Sequence, residues 1–154
     1  MSIILKQPVT GPAAWTGQDI QNDTSWIEQL QSSDIQALDE ALATLKSKGR
    51  AFPNFEREDF PIGTALLKRL AALSDELENG RGFSLWRGLP VHRYSEDELK
   101  AVYYGIGLHL GLPVCQNPRG DLLGEVAAVG DPKDVRTRVY QTNLYLPYHS
   151  DPSD

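Results

Sequence analysis

Cysteine, methionine and histidine are scarce in this chain, and the shortage limits the chemistry that it can carry. The 154 residues include one cysteine, one methionine and three histidines. A lone cysteine, Cys115, excludes an internal disulfide and a cysteine-rich zinc site. Its neighbours Pro113 and Val114 are apolar, so we predict that Cys115 is a small buried residue; the alternative is a reactive thiol.

Long apolar runs and long blocks of one charge are also missing. No run reaches the roughly 18 apolar residues of a membrane span, and residues 1–8 lack the basic and apolar segments of a signal peptide. With 15 basic and 21 acidic residues the net charge is -6, and no basic block is present to bind nucleic acid. The 40% hydrophobic content is typical of a globular protein. We expect one cytoplasmic domain over residues 1–154, without a membrane or nucleic-acid partner.

Apolar periodicity predicts three helices. Leucine and isoleucine recur at three- and four-residue steps over about residues 34–48 and again over about 61–78. A third apolar stripe runs from about residue 95 to 110. The stripes predicted to face the core are Ile35, Leu38, Leu42 and Leu45, then Leu66, Leu70, Leu73 and Leu77, then Leu99, Val102, Ile106 and Leu110.

Polar and glycine residues mark the ends of these helices. Ser33 with Gln36 predicts a capping box at the first helix, and Ser95 with Glu98 predicts one at the third. Gly49 stands where a left-handed residue ends the first helix.

The other stretches predict strands or irregular structure. Residues 82–88, aromatic-rich and bounded by glycines, predict a strand. We expect residues 1–33 to be irregular, with a helical turn around Trp26. The β-prone runs 122–129 and 135–146 predict the beginning of a sheet.

His149 and Asp151 form the one residue pair with an evident metal-binding spacing. On an extended chain they point to the same face, where an imidazole nitrogen and a carboxylate oxygen can converge on one cation. A second histidine from elsewhere would complete a 2-His-1-carboxylate iron site. Such short pairs also arise by chance, so the residues alone leave open a metal half-site and a plain polar turn. His92 is interpreted as a surface residue, and His109 as a half-buried packing residue of the third helix.

Two other clusters have ordinary structural interpretations. Gly80-Arg81-Gly82 is not followed by a phosphate-binding pattern, and we interpret it as a helix-to-strand turn. Glu96, Asp97 and Glu98 begin the third helix, where its dipole favours negative charge.

The order of several motifs together resembles the N-terminal half of the taurine dioxygenase-like (TauD/TfdA) family of iron(II)- and 2-oxoglutarate-dependent oxygenases. The resemblance extends from about residue 34 to the end of the chain. The motifs are Gly80 to Pro90, Tyr94 to Leu99, Gly105 to Gly111, Asn117 to Gly124, Tyr140 to Asn143, and His149-Ser150-Asp151.

This resemblance implies an α+β fold, the N-terminal part of a double-stranded β-helix, the clavaminate synthase-like jelly roll, with helices packed against it. By position, His149 and Asp151 match the first two iron ligands. Asn143, Tyr145 and Tyr148 lie close to them in sequence and are interpreted as lining the substrate or supporting the metal. The implied cofactor is Fe(II), the cosubstrate 2-oxoglutarate, and the substrate a small organic molecule.

The resemblance also implies two features that have no counterpart before Asp154: a distal histidine ligand and a basic residue that anchors 2-oxoglutarate. Most jelly-roll strands are missing as well, so we expect an incomplete barrel and no activity from the 154 residues alone. The competing hypothesis is a non-catalytic relative that acts as an interaction module. Its open strand edges would pair with a partner chain or with a second copy.

Overall fold

A computed structural model describes residues 7, 8, 10–124, 126–131, 133–135, 137 and 139–145. The chain divides into two compact units, residues 1–113 and 114–154. The single domain over residues 1–154 stays a prediction.

The first unit is helical, with one small sheet. Two short 3-10 helices, Arg57–Asp59 and Val91–Arg93, lie in its connections. Its main elements in chain order are α1 (Gly17–Ile20), β1 (Ile27–Gln29), α2 (Ser32–Ser47), α3 (Thr64–Asn79), β2 (Leu85–Arg87) and α4 (Glu96–Leu110).

Helices α2, α3 and α4 enclose the core, so the three predicted helices are confirmed. Most of the predicted stripe of α2 is buried, while Leu77 at the end of α3 is 41% exposed. The predicted stripe of α4 is corrected: of its four residues only Val102 is buried, because the buried face of α4 is formed by Ala101, Val102, Tyr104 and Gly105. Aromatic residues of the α2–α3 connection fill the space between the helices. The buried apolar residues are Leu38, Ala41, Leu42, Leu45, Phe55, Phe60, Ile62, Leu66, Leu70, Ala101, Val102 and Tyr104.

The ends of α2 confirm one predicted cap and correct another. The Gln31 N–H donates to Asp34 Oδ2 over 2.7 Å, so the predicted capping box at Ser33 is wrong because Ser33 already lies inside the helix. Gly49 has φ 65° and the Arg50 N–H donates to the Leu45 carbonyl over 3.1 Å, which confirms the left-handed C-terminal cap.

The start of α4 is capped as predicted. The Ser95 N–H donates to Glu98 Oε2 over 2.7 Å, and the Glu98 N–H donates back to Ser95 Oγ over 3.3 Å. Helix α3 begins at Thr64, later than predicted, because Gly63 is still extended, with φ -66° and ψ 158°.

The sheet consists of two parallel strands. Leu85 to Arg87 form β2, within the predicted 82–88. Its partner is β1, with Ile27 opposite Leu85, so the helical turn predicted around Trp26 does not extend through Ile27. Ser25 and Trp26 lie in a turn, in which the Ile27 N–H donates to the Thr24 carbonyl over 2.9 Å. The Trp26 carbonyl accepts the Leu85 N–H over 2.9 Å, a long-range pairing that the local sequence does not reveal.

In the second unit, the described residues contain one 3-10 helix, Val139–Gln141, and no strand. The strands predicted over 122–129 and 135–146 are therefore not seen in those residues, and the jelly roll stays a prediction. Cys115 is exposed, which corrects its predicted burial. It follows α4 in a run of exposed residues that includes Leu112, 92% exposed, and Val114, 67% exposed.

Across the described part of the chain, none of the helices combines the length and the apolar character that crossing a membrane requires.

Candidate functional site

The predicted iron ligands His149 and Asp151, and the neighbouring Tyr148, lie outside the described residues. Two of the predicted neighbours are described. Asn143 is exposed, and Tyr145 is 82% exposed. An amide and a phenol are therefore accessible on the segment that leads to the predicted ligands.

Backbone hydrogen bonds shape the segment before these residues. The Gly130 N–H donates to the Gln141 carbonyl over 2.7 Å and brings two parts of the second unit together. Thr142 then closes a turn, because both its N–H and its hydroxyl donate to the Val139 carbonyl, over 3.0 and 2.8 Å. The Leu144 N–H donates to Thr142 Oγ1 over 3.2 Å, so the turn fixes the backbone just before Tyr145.

A second polar turn in this unit is held by side chains. Asn117 Nδ2 donates to Asp121 Oδ2 over 2.7 Å, and Arg119 Nη2 donates to the same oxygen over 3.0 Å. The Asn117 hydrogen bond and then the Arg119 guanidinium lower the pKa of Asp121 below its usual value. This carboxylate is therefore held by its own turn and is a poor candidate for a free metal ligand.

In the first unit, the most connected polar side chain is Arg69 of α3. It pairs with Asp34, which is 3% exposed, and its Nη2 donates to Glu28 Oε2 over 3.0 Å and to the Gln29 carbonyl over 3.2 Å. Its guanidinium also lies over the Trp86 ring, 4.8 Å from the centroid. Arg69 thus joins α2, α3 and both strands at one point.

Arg69 borders a groove of about 280 Å³ between the sheet and α3. A second guanidinium in it, Arg81, donates from Nε to Glu76 Oε1 over 2.7 Å and from Nη1 to Asp23 Oδ2 over 3.1 Å. The Arg81 hydrogen bonds lower the pKa of Glu76, and Glu76 in turn raises the pKa of Arg81. Because both guanidinium groups already face carboxylates, the groove does not offer a free cation for an anionic ligand. We interpret Arg69 and Arg81 as structural residues whose ion pairs hold the neighbouring segments against α3.

The other two histidines behave as predicted. His92 is exposed. His109 is half-buried, accepts from Arg57 Nε at Nδ1 over 3.2 Å, and lies with Nε2 2.8 Å from the Phe60 carbonyl. Both ring nitrogens therefore have partners within the first unit. Within the described ranges, no three His, Cys, Asp or Glu side chains are placed together to hold a metal ion.

Comparison with known proteins gives two relatives. No family model matches the chain. The chain is 32% identical over 153 residues to FR-33289 synthase of Streptomyces rubellomurinus, a match that covers 98% of this chain and 45% of the relative. It is 25% identical over 151 residues to a taurine hydroxylase-like protein of Stachybotrys chartarum, a match that covers 90% of this chain and 38% of that relative.

The chain therefore spans less than half the length of these curated relatives. The first match extends over nearly the whole chain, so the region of His149 and Asp151 falls within it. The name of the Stachybotrys chartarum relative, a taurine hydroxylase-like protein, agrees with the family that the ordered motifs of the sequence resemble.

Proposed function

We propose that this chain is the N-terminal portion of a non-haem iron(II)- and 2-oxoglutarate-dependent dioxygenase that oxidises a small organic substrate. The observation that carries the proposal is the match over 98% of the chain to FR-33289 synthase, joined by the match to a taurine hydroxylase-like protein. The order of motifs that ends in His149 and Asp151 supports the same family.

The donor atoms of His149 and Asp151 suit this role. One imidazole and one carboxylate are two of the three donors of the 2-His-1-carboxylate site of non-haem iron oxygenases. Iron and 2-oxoglutarate, when bound, supply the activation of molecular oxygen that side chains alone lack. On this proposal the chain's own contribution is to hold the metal through His149 and Asp151. Asn143 and Tyr145, both exposed, offer an amide and a phenol to orient the substrate.

The metal site can be tested with anaerobic Fe(II) and the 154-residue chain. Paramagnetic Fe(II) broadens the NMR signals of nearby nuclei even when it binds weakly, so two ligands suffice for a readout. We expect Fe(II) to broaden the signals of His149 and Asp151 first. His149→Ala and Asp151→Asn should each raise the Fe(II) concentration needed for half-maximal broadening by about tenfold or more.

The matched control is His92→Ala, since it removes an exposed histidine with the same donor atoms. It should leave the broadening unchanged. Equal broadening at His92 and His149, or an unaltered response in His149→Ala, would show that the predicted pair is not a metal site.

A second function is favoured by the exposed apolar residues of the second unit. Val126 is 75% exposed, Val129 79%, Val135 99% and Leu144 54%. Exposed apolar residues mark protein interaction sites where they form one patch. We therefore keep, as an alternative, a non-catalytic interaction module that pairs with a partner chain or with itself.

The alternative predicts association without metal. Sedimentation velocity of the chain over a range of concentrations should then show self-association that Val129→Asp and Val135→Asp weaken and that Fe(II) does not alter. A monomer at all concentrations, together with Fe(II)-specific broadening at His149, favours the oxygenase.

A further inference from the structure

Two tryptophan side chains of the first unit carry a hydrogen-bond donor that has no acceptor. The indole Nε1 atoms of Trp26 and Trp86 are buried, and neither has a hydrogen-bond partner among the described residues. Trp15 differs, since its Nε1 donates to the Arg81 carbonyl over 2.9 Å. Folded proteins pair nearly all of their buried polar groups, so the two indole donors require an acceptor that the described residues do not supply.

Both indoles line the same groove, the one between the sheet and α3. Trp86 lies in β2 opposite Glu28 of β1, so these two side chains share one face of the sheet. Arg69 of α3 lies over the Trp86 ring, which places that face toward the helix. Trp26, directly before β1, borders the groove as well. The two unpartnered donors therefore belong to one site.

The charged groups that line this groove balance one another. Its two guanidinium groups belong to Arg69 and Arg81, and its two carboxylates belong to Glu28 and Glu76. Arg69 Nη2 donates to Glu28 over 3.0 Å, and Arg81 Nε donates to Glu76 over 2.7 Å. Opposite charges are thus already paired inside the groove, and its lining has no net charge to attract an ion.

Helix α3 adds an apolar side to the groove through Ala72 and Leu73. The volume of about 280 Å³ gives room for roughly nine water-sized groups. A ligand of this site is therefore small, has an apolar part and carries no net charge. Since an indole N–H can only donate a hydrogen bond, the ligand must also supply the acceptor.

We propose that the groove binds a small neutral molecule of the amide class through its carbonyl group. The carbonyl oxygen has two lone pairs, which accept from the indole N–H groups of Trp26 and Trp86. The apolar part of the molecule packs against Ala72 and Leu73. A carboxylate in the same place would lie beside Glu28 and Glu76 and would be repelled. The site belongs to the first unit and does not depend on the iron chemistry proposed above.

The test is an NMR titration of the isotope-labelled 154-residue chain with benzamide, benzoate and benzamidine. These three molecules have nearly the same size and shape, but they are neutral, anionic and cationic. We expect benzamide to shift the indole N–H signals of Trp26 and Trp86 with roughly millimolar half-saturation, which is ordinary for about nine non-hydrogen atoms. The indole signal of Trp15 should stay in place, because its N–H already has an acceptor.

Benzoate should require at least about a tenfold higher concentration than benzamide, because its charge faces the carboxylates of the groove. Benzamidine should leave the indole signals in place, because its amidinium group has no acceptor to offer them.

A substitution on α3 tests the position of the site. Ala72→Leu extends a side chain into the groove and should raise the half-saturation concentration of benzamide by about tenfold or more. The matched control is Ala71→Leu, the same change at the adjacent exposed position, which does not line this groove. It should bind benzamide as the unaltered chain does. Leucine is nearly as good a helix former as alanine, so both variants should keep α3.

A second pair of variants tests the donors themselves. Trp26→Phe keeps an apolar ring but removes one unpartnered N–H, and it should weaken benzamide binding by about fivefold. Trp15→Phe removes an indole N–H that has its own acceptor and should leave the binding unchanged. The two variants also assign the indole signals.

Four results would overturn the proposal. Equal half-saturation with benzamide and benzoate would show that the carbonyl acceptor is not selected over an anion. Equal binding by Ala72→Leu and Ala71→Leu would place the contact outside the groove, and unaltered binding by Trp26→Phe would show that its donor is not used. Indole signals that no probe moves would leave water as the acceptor of both N–H groups.

Discussion

Residues 10–113 and residues 114–145 differ in how far their apolar side chains are buried. In the first region Leu38, Phe60 and Val102 are fully buried. In the second region Val126, Val129 and Val135 are at least 75% exposed, and the described residues form one 3-10 helix. Val102 is thus a core residue of the first region, whereas these three valines of the second region are surface residues.

The difference shows where the folding free energy resides. Burial of apolar area stabilises a fold by roughly 25 cal/mol per Å², so the first region contributes most of it. The second region is held by backbone and side-chain hydrogen bonds of turns, each of which contributes only about 1 kcal/mol net. The region that leads to the predicted iron ligands therefore adds little to the stability of the 154 residues.

The largest expected effect comes from Arg69. Replacing it by alanine leaves the Asp34 carboxylate, which is 3% exposed, without its cation. Loss of one member of such a pair lowers the free energy of unfolding by about 3 kcal/mol or more. Urea unfolding should show this loss for Arg69→Ala. Lys68→Ala, a change at the adjacent exposed position, should be within roughly 0.5 kcal/mol of the unaltered chain.

The next effect compares valines of the two regions directly. Val102→Ala removes two methyl groups from a fully buried site and should lower the free energy of unfolding by about 2 kcal/mol. Val135→Ala, at a site that is 99% exposed, should change it by less than about 0.5 kcal/mol. Equal losses in the two variants would contradict the contrast between the regions.

Two glycines of α4, Gly105 and Gly107, lie on faces of the helix that differ in how tightly they are packed. A Cβ at Gly105 would lie 2.5 Å from the Phe60 ring, whereas one at Gly107 would meet nothing within 4 Å. Gly105→Ala should therefore destabilise the chain by roughly 1.5 kcal/mol through overpacking. Gly107→Ala should stabilise it by about 0.5 to 1 kcal/mol, since alanine is the better helix former. Thermal unfolding of both variants gives the comparison, and a shift of the same sign in both would refute it.

The smallest effect is a pH dependence at the start of α4. The hydrogen bond from Lys46, then the backbone N–H of Ser95, lower the pKa of Glu98 from 4.5 to about 2. A lowered carboxyl pKa means that this stabilisation is complete above pH 4.5 and is lost as the pH falls toward 2. Glu98→Gln should flatten the dependence of Tm on pH across that window, and Lys46→Met should reproduce part of the flattening. An unchanged slope in both variants would exclude this pair as its source.

Much of the helical part could be predicted from the sequence. Helix periodicity and caps are local, so the stripe of α2, the Ser95–Glu98 box and Gly49 were readable from neighbouring residues. The pairing of β1 with β2 was not, because it joins Trp26 to Leu85 across 58 intervening residues. The pairing of Arg69 with Asp34 was missed for the same reason.

The sequence predicts which donor atoms the candidate site offers, but not how they are arranged in space. The spacing of His149 and Asp151 gives two donor atoms that suit iron, and the ordered motifs give the family that they resemble. Cys115 shows that apolar neighbours in the sequence do not by themselves predict burial. Apolar neighbours predicted its burial, but those neighbours are themselves exposed because they follow the end of α4.

Hydrogen exchange of the 154-residue chain under native conditions tests the contrast between the two regions most directly. We predict that amides of α2, α3 and α4 exchange with opening free energies near that of global unfolding, while described amides of residues 114–145 exchange at far lower free energies. Protection of Val129 and Thr142 equal to that of Leu38 and Val102 would contradict the claim that the first region contributes most of the stability.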